Sequence, residues 1–416
     1  MNTFKKADIL LPKNVDFKKW SVVACDQYTS EPEYWERVGE FVGDEPSTLN
    51  IIFPEVYLSE GDERIEKINA KMHEYINSGI FDEFKNCLVY VERNVGNSRI
   101  RKGIVGCIDL EDYDFKKGSK TLIRATEGTV LERIPPRVKI RENAPLELPH
   151  VMILIDDINK RVIEPLSVKK GNFKKLYDFK LMENSGSILG YLINDEVVGE
   201  LLDGINCLYD EFDKKYSIKD AAKLIFAVGD GNHSLATAKT CWENLKEKLS
   251  EEQKVYHPAR FALCELVNIH DDALEFEPIH RVVFNVDKDD LIEKLSQYYE
   301  ISDKDNGGQH FEYITCDERK DVYVKNSKSG LAVGTLQIFL DDYIAKNGGT
   351  IDYIHGEDVT VRLGSLEGNI GFILPAMGKN ELFKTVITDG ALPRKTFSMG
   401  EAYEKRFYLE SKRISE

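Results

Sequence analysis

The chain of 416 residues contains 56 Lys and Arg against 72 Asp and Glu, which gives a formal net charge of −16. Its 42% hydrophobic and 31% charged residues are typical of a folded globular protein and exclude a disordered one. So acidic a chain lacks the excess of cations that general nucleic-acid binding requires, and no apolar run reaches the ~20 residues of a membrane span. We therefore expect neither nucleic acid nor a membrane as a partner.

Cysteine usage and the N-terminus point to the cytoplasm. The seven cysteines are scattered and include no C-x-x-C pair, so they indicate neither a disulfide framework nor a structural zinc site. The apolar stretch near the N-terminus is too short for a signal peptide. We expect a reduced, soluble, cytoplasmic protein.

Apolar periodicity and turn residues predict a mixture of strands and helices along the chain. The predicted elements of the first part are a strand at 21–25, an amphipathic helix at 64–78, and a hairpin of strands at 88–93 and 104–110. The polar stretch 133–147, which contains three prolines, predicts a long loop. The later elements are strands at 150–156, 223–228 and 261–269, and a helix at 235–248.

Because strands and helices are interspersed throughout, the predicted fold class is α/β or α+β, with mixed sheets and helices. At roughly 100–200 residues per domain, the length predicts two or three domains. The predicted division is an N-terminal α/β region at 1–120, a catalytic core at 121–290 and a C-terminal α+β region at 291–416.

One short segment carries most of the chemical information. Residues 228–238 read V-G-D-G-N-H-S-L-A-T-A, which predicts a strand, a glycine turn and a helix in immediate succession. Glycine permits positive φ, and the free N–H groups at the start of a helix attract anions. We therefore expect Gly229, Gly231, Asn232 and Ser234 to bind phosphate.

Asp230 and His233 lie within the same turn and are the candidate catalytic residues. The Asp230 carboxylate suits Mg²⁺ or a proton, which makes it the candidate metal ligand, and His233 suits donation to a phosphate oxygen. The alternative is a tight turn in which Asp230 and Ser234 only cap the helix. The spacing matches neither the Walker loop nor G-x-G-x-x-G.

Glu127 lies between two candidate substrate-binding residues, Arg124 and Thr129. Phosphoryl transfer needs a residue that positions or deprotonates the nucleophile, together with cations that stabilise the phosphate oxygens. Arg124 is a candidate for supplying such a cation. The alternative is an ion pair between residues three positions apart at the surface.

Further candidate binding residues lie in two distant segments. Asp26 and Tyr28 follow the predicted strand 21–25, where a carboxylate and a phenol can fix an ammonium and a hydroxyl group. Arg281, preceded by His280, can bind phosphate or carboxylate in bidentate fashion. The alternatives are a turn with core packing for the first pair, and a structural ion pair for Arg281.

The segment 228–238 resembles the D-G-[HN]-H-[RS]-x-x-[AT]-A box of the family known as domain of unknown function 1015. Other segments that resemble this family are V-A-C-D-Q-Y at 23–28, R-x-x-E-x-T at 124–129, P-I-H-R at 278–281 and L-P-R-K-T at 392–396. The box is also similar to that of the ParB/sulfiredoxin superfamily, which includes nucleotide hydrolases of chromosome partitioning, sulfiredoxins and free-serine kinases. At Asn232 and Ser234 this chain departs from the more usual His and Arg, so it lacks one phosphate ligand that the resemblance implies.

The resemblance implies a ParB/sulfiredoxin-like phosphate-binding core and a small-molecule kinase whose acceptor is the hydroxyl of free L-serine, with O-phosphoserine as product. It implies Mg²⁺ as cofactor and Glu127 as the base, and it leaves the phosphoryl donor open among ATP, ADP and pyrophosphate. The alternatives are a ParB-like nucleotide-binding or nucleotide-hydrolysing regulator and a non-catalytic protein that binds phospho-metabolites. Sulfinic acid reduction requires a cysteine in the box, where this chain has Asn232 and His233.

Overall fold

The computed structural model describes residues 3–29, 31–96, 99–148 and 150–415. The chain divides into two compact units. The first comprises the residues up to Leu274 together with the C-terminal segment that begins at Glu401, and the second comprises Glu275–Gly400. The fold is mixed α/β, as the sequence predicts. The two units are cut differently from the three predicted regions, because residues 275–290 belong to the second unit and the C-terminal segment belongs to the first.

The first unit contains a large mixed sheet, two small two-stranded sheets and most of the helices. Its strands are β1 (Phe4–Lys5), β2 (Ala7–Pro12), β3 (Phe81–Cys87), β4 (Val89–Asn94), β5 (Ile100–Asp109), β6 (Tyr113–Asp114), β7 (Ile123–Ala125), β8 (Leu146–Glu147), β9 (Met152–Ile155), β10 (Lys174–Lys180), β11 (Ser187–Leu192), β12 (Phe226–Asp230) and β13 (Phe261–Asn268). Its helices are α1 (Phe17–Trp20), α2 (Pro32–Val42), α3 (Gly61–Asn77), α4 (Ile134–Arg141), α5 (Leu166–Lys169), α6 (Asp195–Tyr216), α7 (Asn232–Lys246) and α8 (Glu251–Tyr256).

The large sheet has the strand order β10-β11-β4-β5-β13-β9-β12-β7-β6, and β1 pairs with β5. Strand β12 is parallel to β7 and antiparallel to β9, while β9 is parallel to β13. Strand β9 is apolar and buried throughout, and β12 is apolar and buried over its first three residues, as is typical of strands covered on both faces. The carboxyl ends of β7 and β12 therefore meet at one edge of the sheet.

The main core of the first unit is built from β2, α2, α3, β4 and β5, and it includes large buried side chains such as Trp20 and Tyr34. Phe407 and Leu409 of the C-terminal segment are buried in the same cluster. That segment continues into a short strand, β14 (Lys412–Arg413), which is the last strand of the chain. It pairs with β8. The first unit is thus completed by residues that follow the second unit in sequence.

The second unit contains one seven-stranded antiparallel sheet and four helices. In the order of the chain its strands are Phe276–Phe284, Ile301–Ser302, Gln309–Ile314, Arg319–Val324, Thr350–His355, Asn369–Ile373 and Phe397–Met399, and its helices are Lys288–Tyr298, Ala332–Asn347, Glu357–Gly364 and Lys379–Asp389. The long first strand, Phe276–Phe284, is the second strand from one end of the sheet and pairs with three others.

The structure confirms the helix predicted at 64–78 and the hairpin of β4 and β5. The prediction of a loop over 133–147 is wrong, because this stretch contains α4. Pro135 and Pro136 are the second and third residues of that helix; in the first turn proline needs no N–H partner and its fixed φ suits the helix. The predicted strand at 21–25 is also wrong, since Val22 forms one isolated bridge with Tyr408.

None of the helices in the described ranges has the length and apolar character that crossing a membrane requires.

Replacing Gly231 by alanine tests the turn between β12 and α7. Gly231 has φ +81°, and a Cβ atom there would lie 3.0 Å from Val151 Cγ2 and 3.1 Å from Val151 Cα. We expect Gly231→Ala to lower the free energy of unfolding in urea by at least ~1 kcal/mol, the cost of a left-handed backbone with a side chain.

Gly199→Ala is the matched control for this prediction. Gly199 lies inside α6, and a Cβ atom there would meet nothing within 4 Å, so alanine should stabilise the protein by roughly 0.5–1 kcal/mol. Equal effects of the two substitutions would contradict the prediction.

Candidate phosphate-binding site

The turn between β12 and α7 presents an uncapped helix start. Strand β12 ends at Asp230, Gly231 adopts the left-handed conformation, and α7 begins at Asn232. Because the N-cap residue is glycine, it offers no side chain to the N–H groups of the first helical turn. These N–H groups and the positive end of the helix dipole form an environment that favours an anion.

The loop that follows β7 is bonded directly to this turn. The Thr126 N–H donates to Asn232 Oδ1 at 3.2 Å, and Asn232 Nδ2 donates to Thr126 Oγ1 at 3.3 Å. Thr126 Oγ1 in turn donates to the carbonyl oxygen of Val228 at 2.6 Å. The role of Asn232 in this structure is therefore to join the two strand ends.

A second bond anchors the other end of the same loop. The Val130 N–H donates to His233 Nε2 at 3.3 Å, so Nε2 is an acceptor here and a proton given to an anion would come from Nδ1. Residues 127–129, which include Glu127, are held between these two anchors. The buried Thr129 Oγ1 has no hydrogen-bond partner among the described residues, and a ligand that bonded it would relieve an energetic cost.

The Asp230 carboxylate is half-buried and has two partners. Its Oδ1 accepts from the Gly231 N–H at 2.8 Å, and its Oδ2 lies 3.3 Å from Lys405 Nζ. Burial alone would raise the pKa of Asp230, but Lys405, His150 and the Gly231 N–H outweigh burial and bring the pKa below its usual value. The carboxylate is thus ionised at neutral pH.

The geometry of Asp230 bears on metal binding. Across the described ranges, no group of three or more His, Cys, Asp or Glu side chains is placed to hold a metal ion. Mg²⁺ commonly keeps several waters and binds one or two carboxylates together with substrate phosphates. An ionised Asp230 beside an anion-binding turn fits that mode and does not fit a cage made of protein side chains.

Two further polar side chains, those of Tyr408 and His150, form a hydrogen-bonded chain that reaches the turn. Tyr408 Oη lies 2.7 Å from His150 Nδ1, and His150 Nε2 lies 3.4 Å from Ser234 Oγ. Burial is the main reason why the pKa of Tyr408 is well above its usual value, so the phenol stays protonated. Ser234 therefore bonds with His150, and Tyr408 bonds the other ring nitrogen of His150; sequence analysis identified neither residue.

Sequence analysis missed His150, Lys405 and Tyr408 as site residues. Lys405 and Tyr408 lie more than 170 residues from the turn in sequence, and His150 precedes a strand with no motif around it. The one available signal was the basic character of the segment 405–412, whose partner the sequence does not reveal.

Arg124 has partners other than the turn. Its Nε donates to the carbonyl oxygen of Thr121 at 2.9 Å, and its Nη2 donates to those of Ala222 and Lys223 at 2.8 and 3.1 Å. Burial lowers the pKa of this guanidinium. These bonds join β7 to the segment that precedes β12, which favours a structural role for Arg124.

The segment of Asp26 and Tyr28 forms a short 3₁₀ turn. The Tyr28 ring stacks on Tyr34 with 3.7 Å between the ring centroids, and burial raises the pKa of Tyr28 to about 12. The Asp26 side chain lies outside the described part of the structure. The adjacent Cys25 thiol is close enough to Lys405 and Asp230 for both to affect its pKa, which burial raises to about 11.

His280 and Arg281 belong to the second unit, and the structure gives both of them partners within it. His280 Nδ1 accepts from the Leu374 N–H at 3.1 Å, and burial lowers the pKa of this imidazole. The fully buried Arg281 donates to the carbonyl oxygens of Ile279 and Arg394 and to Gln337 Oε1. These contacts favour the structural alternative for Arg281.

The family described as "Protein of unknown function (DUF1015)" matches residues 8–343. The chain belongs to this family. The match includes β7, β12, α7 and the loop of Glu127, and it ends before the segment that carries Lys405 and Tyr408. No curated protein has a significant match to the chain.

Solved structures resemble the chain at low sequence identity. One is free serine kinase in complex with AMP, at 11% identity and a TM-score of 0.38 over 77% of this chain and 95% of that chain. Another is a conserved hypothetical protein from Pyrococcus furiosus, at 11% identity and a TM-score of 0.36 over 76% and 97%. A third is SbnI with a C-terminal truncation from Staphylococcus aureus, at 10% identity and a TM-score of 0.36 over 71% and 83%.

Replacing Lys405 by methionine tests the ion pair with Asp230. At pH 7 we expect Lys405→Met to lower the free energy of unfolding by about 1.5–3 kcal/mol, the range for hydrogen bonds to charged groups. The pKa of Asp230 is lowered in the folded protein. The ionised carboxylate therefore stabilises the fold at pH values above the pKa of the unfolded state, and this contribution is lost as the pH falls through the pKa of the folded state. The difference between variant and native protein should therefore shrink between pH 7 and pH 3.

The measurement is urea unfolding at both pH values, with Arg413→Gln as the control. Arg413 is an exposed cation of the same C-terminal segment, and its loss should leave the free energy of unfolding nearly unchanged. A destabilisation by Lys405→Met that is the same at pH 3 as at pH 7 would show that the ion pair does not contribute.

Proposed function

We propose that the protein is a phosphotransferase that moves a phosphoryl group from ATP, ADP or pyrophosphate to the hydroxyl of free L-serine. The observation that supports the proposal is the pair of anchors, at Thr126 and Val130, that holds the Glu127 loop against the first turn of α7. The loop that carries the Glu127 carboxylate is thereby held next to the turn that is proposed to bind the anion. Phosphoryl transfer needs this combination, since its catalysis is mostly positioning and charge stabilisation.

In this proposal the donor phosphates bind at the start of α7, over Gly229, Gly231, Asn232 and Ser234. Asp230 would hold Mg²⁺ jointly with the donor, because the carboxylate is ionised and lies next to the proposed phosphate position. Bound there, Mg²⁺ would neutralise charge on the phosphate oxygens.

The acceptor hydroxyl lies on the side of the Glu127 loop. Glu127 orients this hydroxyl and takes its proton as the new P–O bond forms and the bond to the donor breaks. His233 stabilises charge on the transferred group, with Nδ1 as the donor because Nε2 accepts from Val130. The partnerless hydroxyl of Thr129 is a further candidate contact for the acceptor. Asp26 and Tyr28 are the candidates for binding the ammonium and hydroxyl groups of the acceptor.

A matrix of reactions followed by ³¹P NMR tests the proposed function. Full-length protein and Mg²⁺ are combined with ATP, ADP or pyrophosphate, each with L-serine, another hydroxyl metabolite or buffer. A phosphomonoester signal that forms only in reactions in which serine is the acceptor supports the proposal and identifies the donor. Donor loss without an acceptor would indicate a hydrolase, and binding without turnover would indicate a non-catalytic phosphate-binding protein.

Glu127→Gln tests the role of the carboxylate. Because general-base assistance contributes roughly 100- to 10,000-fold, we expect kcat to fall by that factor while the affinity for the donor stays within about threefold. Steady-state kinetics and donor titration measure the two quantities separately.

The matched control is Glu132→Gln, which removes an exposed carboxylate a few residues further along the same segment. It should leave kcat unchanged. An unaltered kcat in Glu127→Gln would exclude Glu127 as the base.

A further inference from the structure

The described part of the C-terminal segment, residues 401–415, is bonded to the rest of the first unit at several points. Tyr408 and Ser411 form backbone bridges with Val22 and Leu10, and the Trp20 indole donates to the carbonyl oxygen of Leu409 at 3.0 Å. The segment lies outside the residues that match the family. It is nevertheless built into the same unit as the candidate site.

Buried arginines hold the part of this segment that precedes the bridges. Arg93 Nη2 donates to the carbonyl oxygen of Tyr403 at 2.7 Å, and Arg101 Nη1 donates to that of Glu404 at 2.9 Å. Arg406, whose side chain is 4% exposed, pairs with Glu265 at 3.0 Å. Displacing the segment would remove these partners from buried charged groups, which is costly.

Lys405 lies between these anchored residues, and its side chain reaches the turn. Its Nζ is 3.3 Å from Asp230 Oδ2, and the side chain is 13% exposed. The turn itself, Gly229–Ser234, contains neither Lys nor Arg. Arg124 is bonded to backbone carbonyl oxygens, so it does not supply the cation that the turn lacks.

We propose that Lys405 is a phosphate-binding residue of this site, contributed by the C-terminal segment, and that Asp230 holds its ammonium in place until an anion binds. The proposal rests on the proposed function, because it assigns a ligand to the donor's phosphate groups. Without an anion, Asp230 compensates the charge of Lys405. When a phosphate binds at the start of α7, the ammonium moves onto its oxygens as a compact point charge, and the Asp230 carboxylate is released for a metal ion.

The test measures the binding of pyrophosphate and of ADP to the full-length protein by isothermal titration calorimetry with Mg²⁺ present. We expect Lys405→Met to weaken both affinities by roughly ten- to hundredfold, the effect of losing a charge-assisted hydrogen bond. Lys405→Arg should retain most of the affinity because it keeps the charge. Arg413→Gln should bind as the native protein does.

The dependence of affinity on ionic strength separates a phosphate ligand from a structural lysine. Loss of a cation that contacts the ligand should make binding less sensitive to added salt, whereas loss of a merely structural lysine should leave the sensitivity unchanged. Native-like affinity of Lys405→Met would overturn this inference and leave the proposed function standing. A native protein that binds neither pyrophosphate, ADP nor ATP would overturn both.

Asp230→Asn provides a second variant in case Lys405→Met fails to fold. In this variant the Lys405 ammonium no longer has its carboxylate partner. In Mg²⁺-free buffer we therefore expect pyrophosphate to bind several times more tightly to the variant than to the native protein. Glu132→Gln removes a negative charge from the same unit without touching Lys405 and is the control for net charge. Unchanged or weaker binding to Asp230→Asn would overturn the inference.

Discussion

The parallel pairing of β7 with β12 is the constraint on which the candidate site depends. Parallel strands end on the same side, so the loop of Glu127 and the turn at Gly231 emerge together although about 100 residues separate them. Thr126 then converts proximity into fixed geometry by bonding both Val228 and Asn232. A displaced Thr126 would leave the loop with one anchor, the bond between Val130 and His233.

The same pairing explains why polar residues collect where they do. Strand β9 runs antiparallel to β12, so its beginning lies at the edge where β12 ends. His150 precedes β9 and therefore reaches Ser234. Tyr408 bonds the other nitrogen of His150 because its backbone bridges to Val22. The edge thus gathers residues from four separate parts of the chain.

Local sequence was sufficient for the part of this site that is continuous in sequence. An apolar strand, a glycine turn and a helix are visible in residues 226–246 because burial and backbone freedom act over a few residues. Helix α4 was hidden because proline is common both in loops and in first helical turns. The partners of Arg124 and Lys405 were not predictable, since carbonyl oxygens and carboxylates that bind a cation leave no local pattern.

The position of Lys405 follows from the charges on either side of it. Its backbone is extended, so neighbouring side chains emerge on opposite sides of the chain. Glu404 and Arg406 bind Arg99 and Glu265 inside the unit, and Gly103 leaves the space that the Glu265 side chain occupies. Removing one member of a buried pair costs about 3–5 kcal/mol, whereas apolar substitutes of the same volume can be as stable. Stability alone therefore does not require charged residues here. The charged residues are required to fix the position of Lys405, because each ion pair specifies one register of the segment.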